Sequence, residues 1–542
     1  MFRFHQTSRV GLGNRWKAPK IECDTLIWEF FVLALHRFFP TLEIMISQSG
    51  VKMERKKLSF ADHAWLRMDD PLNPMVITGL MIFDEPLKYE GLKAVIENSM
   101  LKIRRFRQRI VPSSLPFMRP AWEDDPTFNL DTHLERITLP PPGDQKALQD
   151  FIGELMSTEL DYSHPLWHFY LVENYGNGSA FIARLHHGIA DGIALMQVLL
   201  SLTEQEPGYS KTDQSPNKKQ TSTKPIRTNK SATLPTSQVR VRDLVKDGKK
   251  MLCSPSHARY RTGQIAKIAA AIGKIVVRWP DPRTVFKGPL GYEKCAAWSE
   301  PIDLKDVKFI GKTFSSTVND VLLTAVAGAL GRYMQTRENI VRDLSIHGFI
   351  PVNLRPIQLD GELGNKFGLV FLSLPLNIDD PVLRLRKVKH NMDELKSSAE
   401  AVATFGVINL LGVVHPRVEE IAINFFDTKG TTVITNVPGP QTQLYLAGAP
   451  INTVMAWVPQ SGRISLGISI ISYNGKVWLG VASDEGLVPD PEKIVSLFYT
   501  DYEELKSQAQ TYQIERQKNW MPIMSKLSEA IQTLDELLAE SS

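Results

Sequence analysis

The chain has 542 residues, 43% of them hydrophobic and 23% charged, and 63 basic against 59 acidic side chains give a net charge of +4. This length exceeds one ordinary domain and supplies enough apolar material for two cores. So small a net charge gives no indication of a nucleic-acid partner. The three cysteines, Cys23, Cys253 and Cys295, lie far apart, which gives no disulfide framework and suits a reducing compartment.

Residues 1–52 do not share the patterning of the rest of the chain. A basic start precedes an aromatic run from Thr25 to Ile46, which charged residues and a proline make too polar for an ordinary spanning helix. The run lacks a small-residue cleavage site, so no signal peptide is indicated. Two hypotheses stay open: that Met53 is the native start, or that the aromatic residues lie at a membrane surface.

A strand-like run from Ser179 to Leu185 ends at the sequence His186-His187-Gly-Ile-Ala-Asp191-Gly192. Helical periodicity follows, so these residues are predicted at a strand-loop-helix corner that can face a cleft. A neutral imidazole there can take a proton from an alcohol and return it to a leaving group near pH 7. Local capping of the strand is one alternative. A zinc site is another, but no second cluster of ligands accompanies His187 and Asp191.

Residues 206–237 are predicted to be a linker, because Pro, Ser, Thr, Lys and Asn dominate and almost no aliphatic side chain is available for burial. Six basic side chains outnumber two acidic ones in this stretch. Amphipathic helices follow, one of them with Lys267 and Lys274 between its apolar residues. Core packing or a membrane-facing position would both explain that helix.

In the second half, polar residues from Ser315 to Asp320 precede an apolar helix and can cap its first turn. A strand and turn are predicted from Phe349 to Arg355, and Gly364-Asn365 leads into another strand. The tail is rich in strands, with a hairpin turn at Asn474-Gly475. An amphipathic helix is predicted from Ile523 to Leu538.

The two-histidine motif and several other blocks together resemble one acyltransferase family. These blocks are Asn73-Pro-Met-Val-Ile-Thr-Gly79, Pro165-Leu-Trp167, Asn319-Asp320, Asn436-Val-Pro-Gly-Pro440 and Tyr473-Asn474-Gly475. In their order and content they resemble the wax ester synthase/diacylglycerol acyltransferases. That family is a branch of the superfamily that includes chloramphenicol acetyltransferase and the condensation domains of peptide synthetases. The likeness runs from about Leu58 to the end of the tail strands.

The resemblance implies an α/β fold of two chloramphenicol-acetyltransferase-like domains, each a mixed sheet with helices on its faces. A substrate channel between the domains is expected to reach His187. The expected division is residues 1–52 as an N-terminal extension, 53–205 as the N-terminal acyltransferase domain, 206–285 as linker and amphipathic helices, 286–508 as the C-terminal acyltransferase domain, and 509–542 as a C-terminal amphipathic helix.

The resemblance also implies roles for residues of the site. The second histidine of the motif, His187, would be the general base, with His186 beside it. Asp191 would organise the loop through an arginine, for which Arg355 is the candidate. The remaining supporting candidates are Gly192, Asn319, Asp320 and Asn365, although capping of a helix could by itself explain Asn319 and Asp320.

The function that the resemblance implies is transfer of a long-chain acyl group from acyl-coenzyme A to diacylglycerol, a long-chain alcohol, or both. Acyl-coenzyme A is then a substrate, and no cofactor or metal is expected. No GxSxG elbow is present, which favours direct transfer over a covalent acyl-enzyme. The expected location is cytoplasmic, at the periphery of a membrane or lipid droplet.

Two other functions compete with this one. A condensation-type domain would use carrier-bound acyl groups, but the chain has no carrier segment. A lipid-surface binding protein with an inactive site would be expected to have lost part of the motif, which is intact here. The sequence does not distinguish diacylglycerol from a fatty alcohol, because both present the same hydroxyl on an oily body.

Overall fold

The computed structural model describes residues 55–113, 118–206, 267–337, 344–354 and 363–540, which belong to one compact unit. The N-terminal extension, nearly all of the predicted linker and Arg355 lie outside these residues. Within them the helices are α1 (Phe60–Arg67), α2 (Tyr89–Asn98), α3 (Gln145–Met156), α4 (Gly192–Ser201), α5 (267–277), α6 (Leu304–Thr313), α7 (Val318–Thr336), α8 (Pro381–Lys396), α9 (Glu400–Leu411), α10 (Pro416–Asp427) and α11 (Pro491–Glu540).

The strands alternate with these helices along much of the chain. They are β1 (Lys56–Lys57), β2 (Val76–Phe83), β3 (Gln108–Val111), β4 (Ala121–Asp124), β5 (Leu134–Ile137), β6 (Trp167–Tyr175), β7 (Gly178–His186), β8 (Thr203–Glu204), β9 (Lys294–Trp298), β10 (Ile302–Asp303), β11 (Ser345–Asn353), β12 (Phe367–Pro375), β13 (Thr432–Pro438), β14 (Tyr445–Leu446), β15 (Ala449–Pro450), β16 (Thr453–Trp457), β17 (Leu466–Tyr473) and β18 (Lys476–Asp484).

A five-stranded mixed sheet carries the strand that leads into the two-histidine motif. Its strand order is β16-β2-β7-β6-β5, with β5 and β6 parallel and the other neighbours antiparallel. Every residue of β2 and β7 is buried, as expected where both faces of a sheet are covered. The strand predicted from Ser179 to Leu185 is confirmed, because β7 spans Gly178–His186.

The edge of this sheet is supplied by the C-terminal half of the chain. Strand β16 pairs with β2 along its whole length, from Thr453 opposite Ile82 to Trp457 opposite Thr78. Backbone hydrogen bonds therefore join the two halves, and the position of the histidine motif relative to the second half is fixed by a shared sheet.

The second large sheet is also mixed. Its order is β10-β18-β17-β13-β11-β12, with β9 paired to β18, and β13 runs parallel to both β11 and β17. The predicted hairpin is confirmed: β17 and β18 are joined at Asn474 and Gly475, whose φ angles of 46° and 77° suit a tight hairpin turn. Aliphatic residues of α7, including Leu322 and Leu330, are buried with Ile468 in the core beside this sheet.

The predicted C-terminal helix is part of a longer one. Helix α11 begins at Pro491 and runs without a break to Glu540, so the predicted boundary between residues 508 and 509 falls inside a single helix. The reason is packing: Phe498, Leu505 and Ala509 are all buried in the core of the second half. The apolar positions of the helix therefore continue across the expected boundary.

The predicted mixed α/β fold class is confirmed by these sheets, whereas the division into domains stays a prediction. In the part of the chain that the structure describes, no helix combines the length and apolar character needed to cross a membrane.

Candidate active site

The two-histidine motif occupies the corner between β7 and α4. His186 is the last residue of β7, and Gly192 is the first residue of α4. The peptide N–H of His187 donates to the carbonyl of Met75 at 2.7 Å, and that of Ile189 donates to the carbonyl of His186 at 3.0 Å. The predicted strand-loop-helix corner is thus confirmed. The bond to Met75 ties its loop to the segment just before β2.

His186 uses both ring nitrogens inside the protein. Its Nδ1 accepts from the N–H of Gly188 at 2.9 Å, so the proton of the neutral ring lies on Nε2. That Nε2 lies 3.2 Å from the Tyr162 hydroxyl and 3.5 Å from Oδ2 of Asp69, and the Tyr162 hydroxyl donates to the same Asp69 oxygen. The fully buried ring therefore ties the loop to Asp69 and Tyr162.

The electrostatics of Asp69 agree with this arrangement. Burial acts to raise the pKa of the Asp69 carboxyl, but hydrogen bonds and attraction to His186, with hydrogen bonds from Met75 and Tyr162, outweigh it and lower the pKa. Asp69 is therefore a carboxylate at neutral pH, and it stabilises the N–H tautomer of His186 that faces it.

His187 packs against two aromatic rings, Trp65 and Phe367, which also stack on each other. Its centroid is 4.7 Å from that of Trp65, with 30° between the planes, and 5.4 Å from that of Phe367. Burial lowers the pKa of the imidazole to about 4, although Asp191 opposes this shift. Nδ1 has no hydrogen-bond partner among the described residues. His187 is therefore neutral at physiological pH, with an unoccupied ring nitrogen that could exchange a proton.

Asp191 organises the loop on both sides of the corner. Its Oδ1 accepts from the N–H of Ala194 at 3.0 Å, which caps α4. Its Oδ2 accepts from the N–H of Lys366 at 3.1 Å, a residue of the second half. The predicted partner Arg355 lies outside the described residues, and a pairing with Asp191 stays a prediction.

Asn365 brings the second half directly to the motif. Its side-chain N–H₂ donates to the carbonyl oxygen of His187 and to Oδ1 of Asp62, each at 2.9 Å. Its own peptide N–H donates to the same Asp62 oxygen at 2.9 Å. Gly364 precedes it at φ +130°, a conformation that residues with side chains rarely adopt. The loop before β12 is thereby shaped to place Asn365 against His187.

The candidate pair Asn319 and Asp320 is engaged elsewhere. Asp320 forms a capping box with Thr317 at the start of α7, and Oδ1 of Asn319 accepts from the side chain of Asn436 at 2.7 Å. Helix capping thus accounts for Asp320. The motif residues and Asn365 form one connected group, while the described hydrogen bonds of Asn319 and Asp320 run to other neighbours, so a role for this pair at the site stays a prediction.

Two cavities flank strand β2. One includes Asn73, Pro74 and Val76 and so adjoins Met75, which accepts the hydrogen bond from His187. The other is apolar and lies among β2, β7, β16 and α4; its lining includes Gly79, Ala183, Met196, Leu199 and Ala456. Among the described residues the linings of these cavities do not include His187, which is 6% exposed, so the channel expected beside it stays a prediction.

Sequence reasoning missed the residues that surround the two histidines. Asp62, Trp65 and Asp69 lie in one short segment, whereas Tyr162 and Phe367 come from two distant ones, and no spacing pattern connects the three segments. In the part of the chain that the structure describes, no group of His, Cys, Asp and Glu side chains could hold a metal ion.

Solved structures of known proteins share this fold. A wax ester synthase/diacylglycerol acyltransferase from Marinobacter aquaeolei VT8 matches with a TM-score of 0.59 and 20% identity, over 84% of this chain and 100% of that one. The starter condensation domain of rhizomide synthetase matches with a TM-score of 0.52 and 12% identity, over 84% of this chain and 94% of that one. The chain thus shares the fold of both proteins.

Family models identify the branch. The wax ester synthase/diacylglycerol acyltransferase catalytic domain matches residues 58–322, and the C-terminal domain of the same family matches residues 363–506. The chain belongs to the wax ester synthase/diacylglycerol acyltransferase family, and it is therefore an acyltransferase. A relative named "Putative diacyglycerol O-acyltransferase" from Mycobacterium tuberculosis (strain CDC 1551 / Oshkosh) is 26% identical over 463 residues, 82% of this chain and 88% of the relative.

Proposed function

We propose that this chain transfers a long-chain acyl group from acyl-coenzyme A to the hydroxyl of diacylglycerol, a long-chain alcohol, or both, with His187 as the general base. The acceptor oxygen bonds to the thioester carbonyl carbon, the carbon–sulfur bond breaks, and the hydroxyl proton passes through the imidazole to the departing thiolate. The reaction needs no redox partner and no covalent acyl-enzyme.

The observation that carries the proposal is a buried imidazole that is kept neutral. A protonated ring could not accept the hydroxyl proton, and burial holds the pKa of His187 at about 4. The imidazolium formed during attack is then a stronger acid than a thiol, whose ordinary pKa is about 8.5. Return of the proton to the thiolate of coenzyme A is therefore downhill, which favours departure of the leaving group.

The other residues of the corner act through position. His186, Asp69 and Tyr162 fix one side of the loop, while Asp191 and Asn365 fix the other. The aromatic rings of Trp65 and Phe367 exclude water from the imidazole. The orientation of the base strongly affects the rate, because misplacement by about 1 Å can lower it about 100-fold.

The acceptor and the acyl donor both carry long apolar chains, so the enzyme works at the periphery of a membrane or lipid droplet in the cytoplasm. Acyl-coenzyme A is a substrate in this proposal, and no cofactor is used.

The test uses purified full-length protein with one long-chain acyl-coenzyme A, and diacylglycerol and a long-chain alcohol are offered as acceptors in separate reactions. Release of free thiol with formation of the matching ester is expected; thiol release without ester, or neither, would reject the proposal.

A further inference from the structure

Helix α10 has carboxylates on its buried side and a stripe of apolar residues on its solvent-exposed side. Glu419 and Asp427 are buried, whereas Val418, Ile421 and Phe425 are 52%, 70% and 38% exposed. The three apolar residues are spaced by three and four positions, which places them on one side of the helix. An ordinary surface helix has the opposite arrangement.

Each of the two buried carboxylates has a polar partner that compensates for its burial. Glu419 pairs with Arg67 of α1, and Asp427 accepts from the peptide N–H of Arg463 at 2.8 Å. These contacts fix the rotation of α10 about its axis. The outward direction of the apolar stripe is therefore built into the fold.

A second exposed apolar segment adjoins the C-terminal end of this stripe. Val277 and Trp279, at the end of α5, are 78% and 86% exposed. Between them, the carbonyl of Arg278 accepts from the Lys429 ammonium, which also lies 4.5 Å from the centre of the Phe425 ring. We call the combined surface the outer apolar face, formed by Val277, Trp279, Val418, Ile421 and Phe425.

The outer apolar face is bordered by positive charge. Arg417 immediately precedes Val418 on α10, and Arg283 follows Trp279 by four residues; both side chains are exposed, against the exposed Glu420 on α10. Single exposed apolar residues are normal on a protein surface, but a group that includes an almost fully exposed tryptophan and a basic border marks an interaction site. Aromatic and aliphatic side chains flanked by cations fit the interface of a lipid surface with anionic head groups.

This face lies on the outer side of the helices that pack over the His187 site. Trp65 and Phe367, which pack against the imidazole, belong to one buried cluster with Ile408 and Leu411 of α9. Ile423, from the inward side of α10, packs against the same cluster. One layer of helices therefore separates His187 from the outer apolar face.

We propose that the outer apolar face is where the protein docks on a phospholipid surface that contains anionic head groups. The inference rests on the proposed function, since a lipid acceptor is held in such a surface. Insertion of Trp279 and Ile421 among the acyl chains would bring α9 and α10, and the site beneath them, against the phase that holds the acceptor.

The test measures binding of full-length protein to vesicles of equal parts phosphatidylcholine and phosphatidylglycerol by co-sedimentation. The variant carries Trp279→Ser and Ile421→Ser together, and the control is Leu383→Ser, which removes a side chain 54% exposed on α8. The double variant should bind at least about tenfold more weakly, because two inserted apolar side chains are lost. The control should bind as the unmodified protein does, and thermal unfolding should be unchanged in both.

Two further measurements separate the possible failures. Transfer of the acyl group to a short alcohol in solution should be the same in the double variant and the unmodified protein. If the unmodified protein shows no transfer, the proposed function is rejected, while the vesicle-binding result still tests the docking surface. Equal vesicle binding by the double variant overturns the docking inference. So does an unmodified protein that is a dimer and becomes a monomer in the double variant, since a second copy then covers the face.

Discussion

The side chain of Asn365 donates a hydrogen bond to the carbonyl oxygen of His187 at 2.9 Å. The two residues come from different halves of the chain, so this bond joins the loop before β12 to the corner that carries the imidazole. The same amide group also binds Oδ1 of Asp62. The buried Asn365 side chain therefore joins the loop before β12, helix α1 and the loop that carries His187.

Replacement of Asn365 by alanine should affect both stability and turnover. Asp62 and the His187 carbonyl each lose a donor inside the protein, which should lower the free energy of unfolding by about 1–3 kcal/mol. Because the loop is less firmly held, kcat should fall by about tenfold or more while KM changes little. Chemical denaturation and steady-state kinetics measure the two effects.

The control for this prediction is Asn409→Ala. Among the described residues Asn409 donates within its own helix, to the carbonyl of Phe405 at 2.8 Å, so its loss should leave kcat unchanged. If Asn365→Ala lowers stability but kcat stays at the level of the control, Asn365 holds the fold together without positioning His187.

His187→Ala should remove the base without unfolding the protein. General acid–base catalysis contributes about 100- to 10,000-fold, so kcat should fall by at least about 100-fold in a thiol-release assay, while acyl-coenzyme A still binds. His390→Ala is the matched control, since His390 is an exposed histidine that lies beside Glu394 on its own helix. Equal rates for the two variants would remove His187 from the mechanism.

The sequence was sufficient for the fold class and for the local geometry of the motif. A strand that stops at His186 and a helix that starts after Asp191 follow from periodicity and capping, both of which are local properties. The neighbours of the imidazole could not be predicted in this way. Trp65 and Phe367 meet at His187 only because α1 and β12 pack together, and such tertiary contacts leave no spacing signal in one sequence.

The same distinction applies to two further expectations. Asn319-Asp320 was assigned to the site by resemblance, yet Asp320 caps α7, which the local pattern had also allowed. The expected boundary near residue 509 falls inside α11, in which Leu505 and Ala509, on either side of it, are both buried. Such burial depends on how α11 packs against the rest of the fold, which a local pattern does not show.

Tyr162→Phe should test the role of His186 as a fixed support. The change keeps the ring but removes the hydroxyl that donates to Asp69 and lies 3.2 Å from Nε2 of His186. The free energy of unfolding should fall by about 0.5–1.5 kcal/mol, and kcat should fall several-fold, by less than in His187→Ala. A loss of turnover as large as that of His187→Ala would show that Tyr162 or His186 takes part in proton transfer.

The pH profile tests the state of His187 itself. Burial lowers the pKa of this imidazole from 6.5 to about 4, and only the neutral ring can accept a proton. Since kcat/KM reports groups of the free enzyme, its acid limb should have an apparent pKa near 4, with activity retained at pH 6 and lost as the pH falls through about 4. The same shift makes the unfolded chain take up the proton first, so His187 reduces stability as the pH falls from about 6.5 to about 4. In His187→Gln that part of the stability profile should disappear, and an acid limb near 6.5 in the unmodified protein would contradict the buried, neutral imidazole.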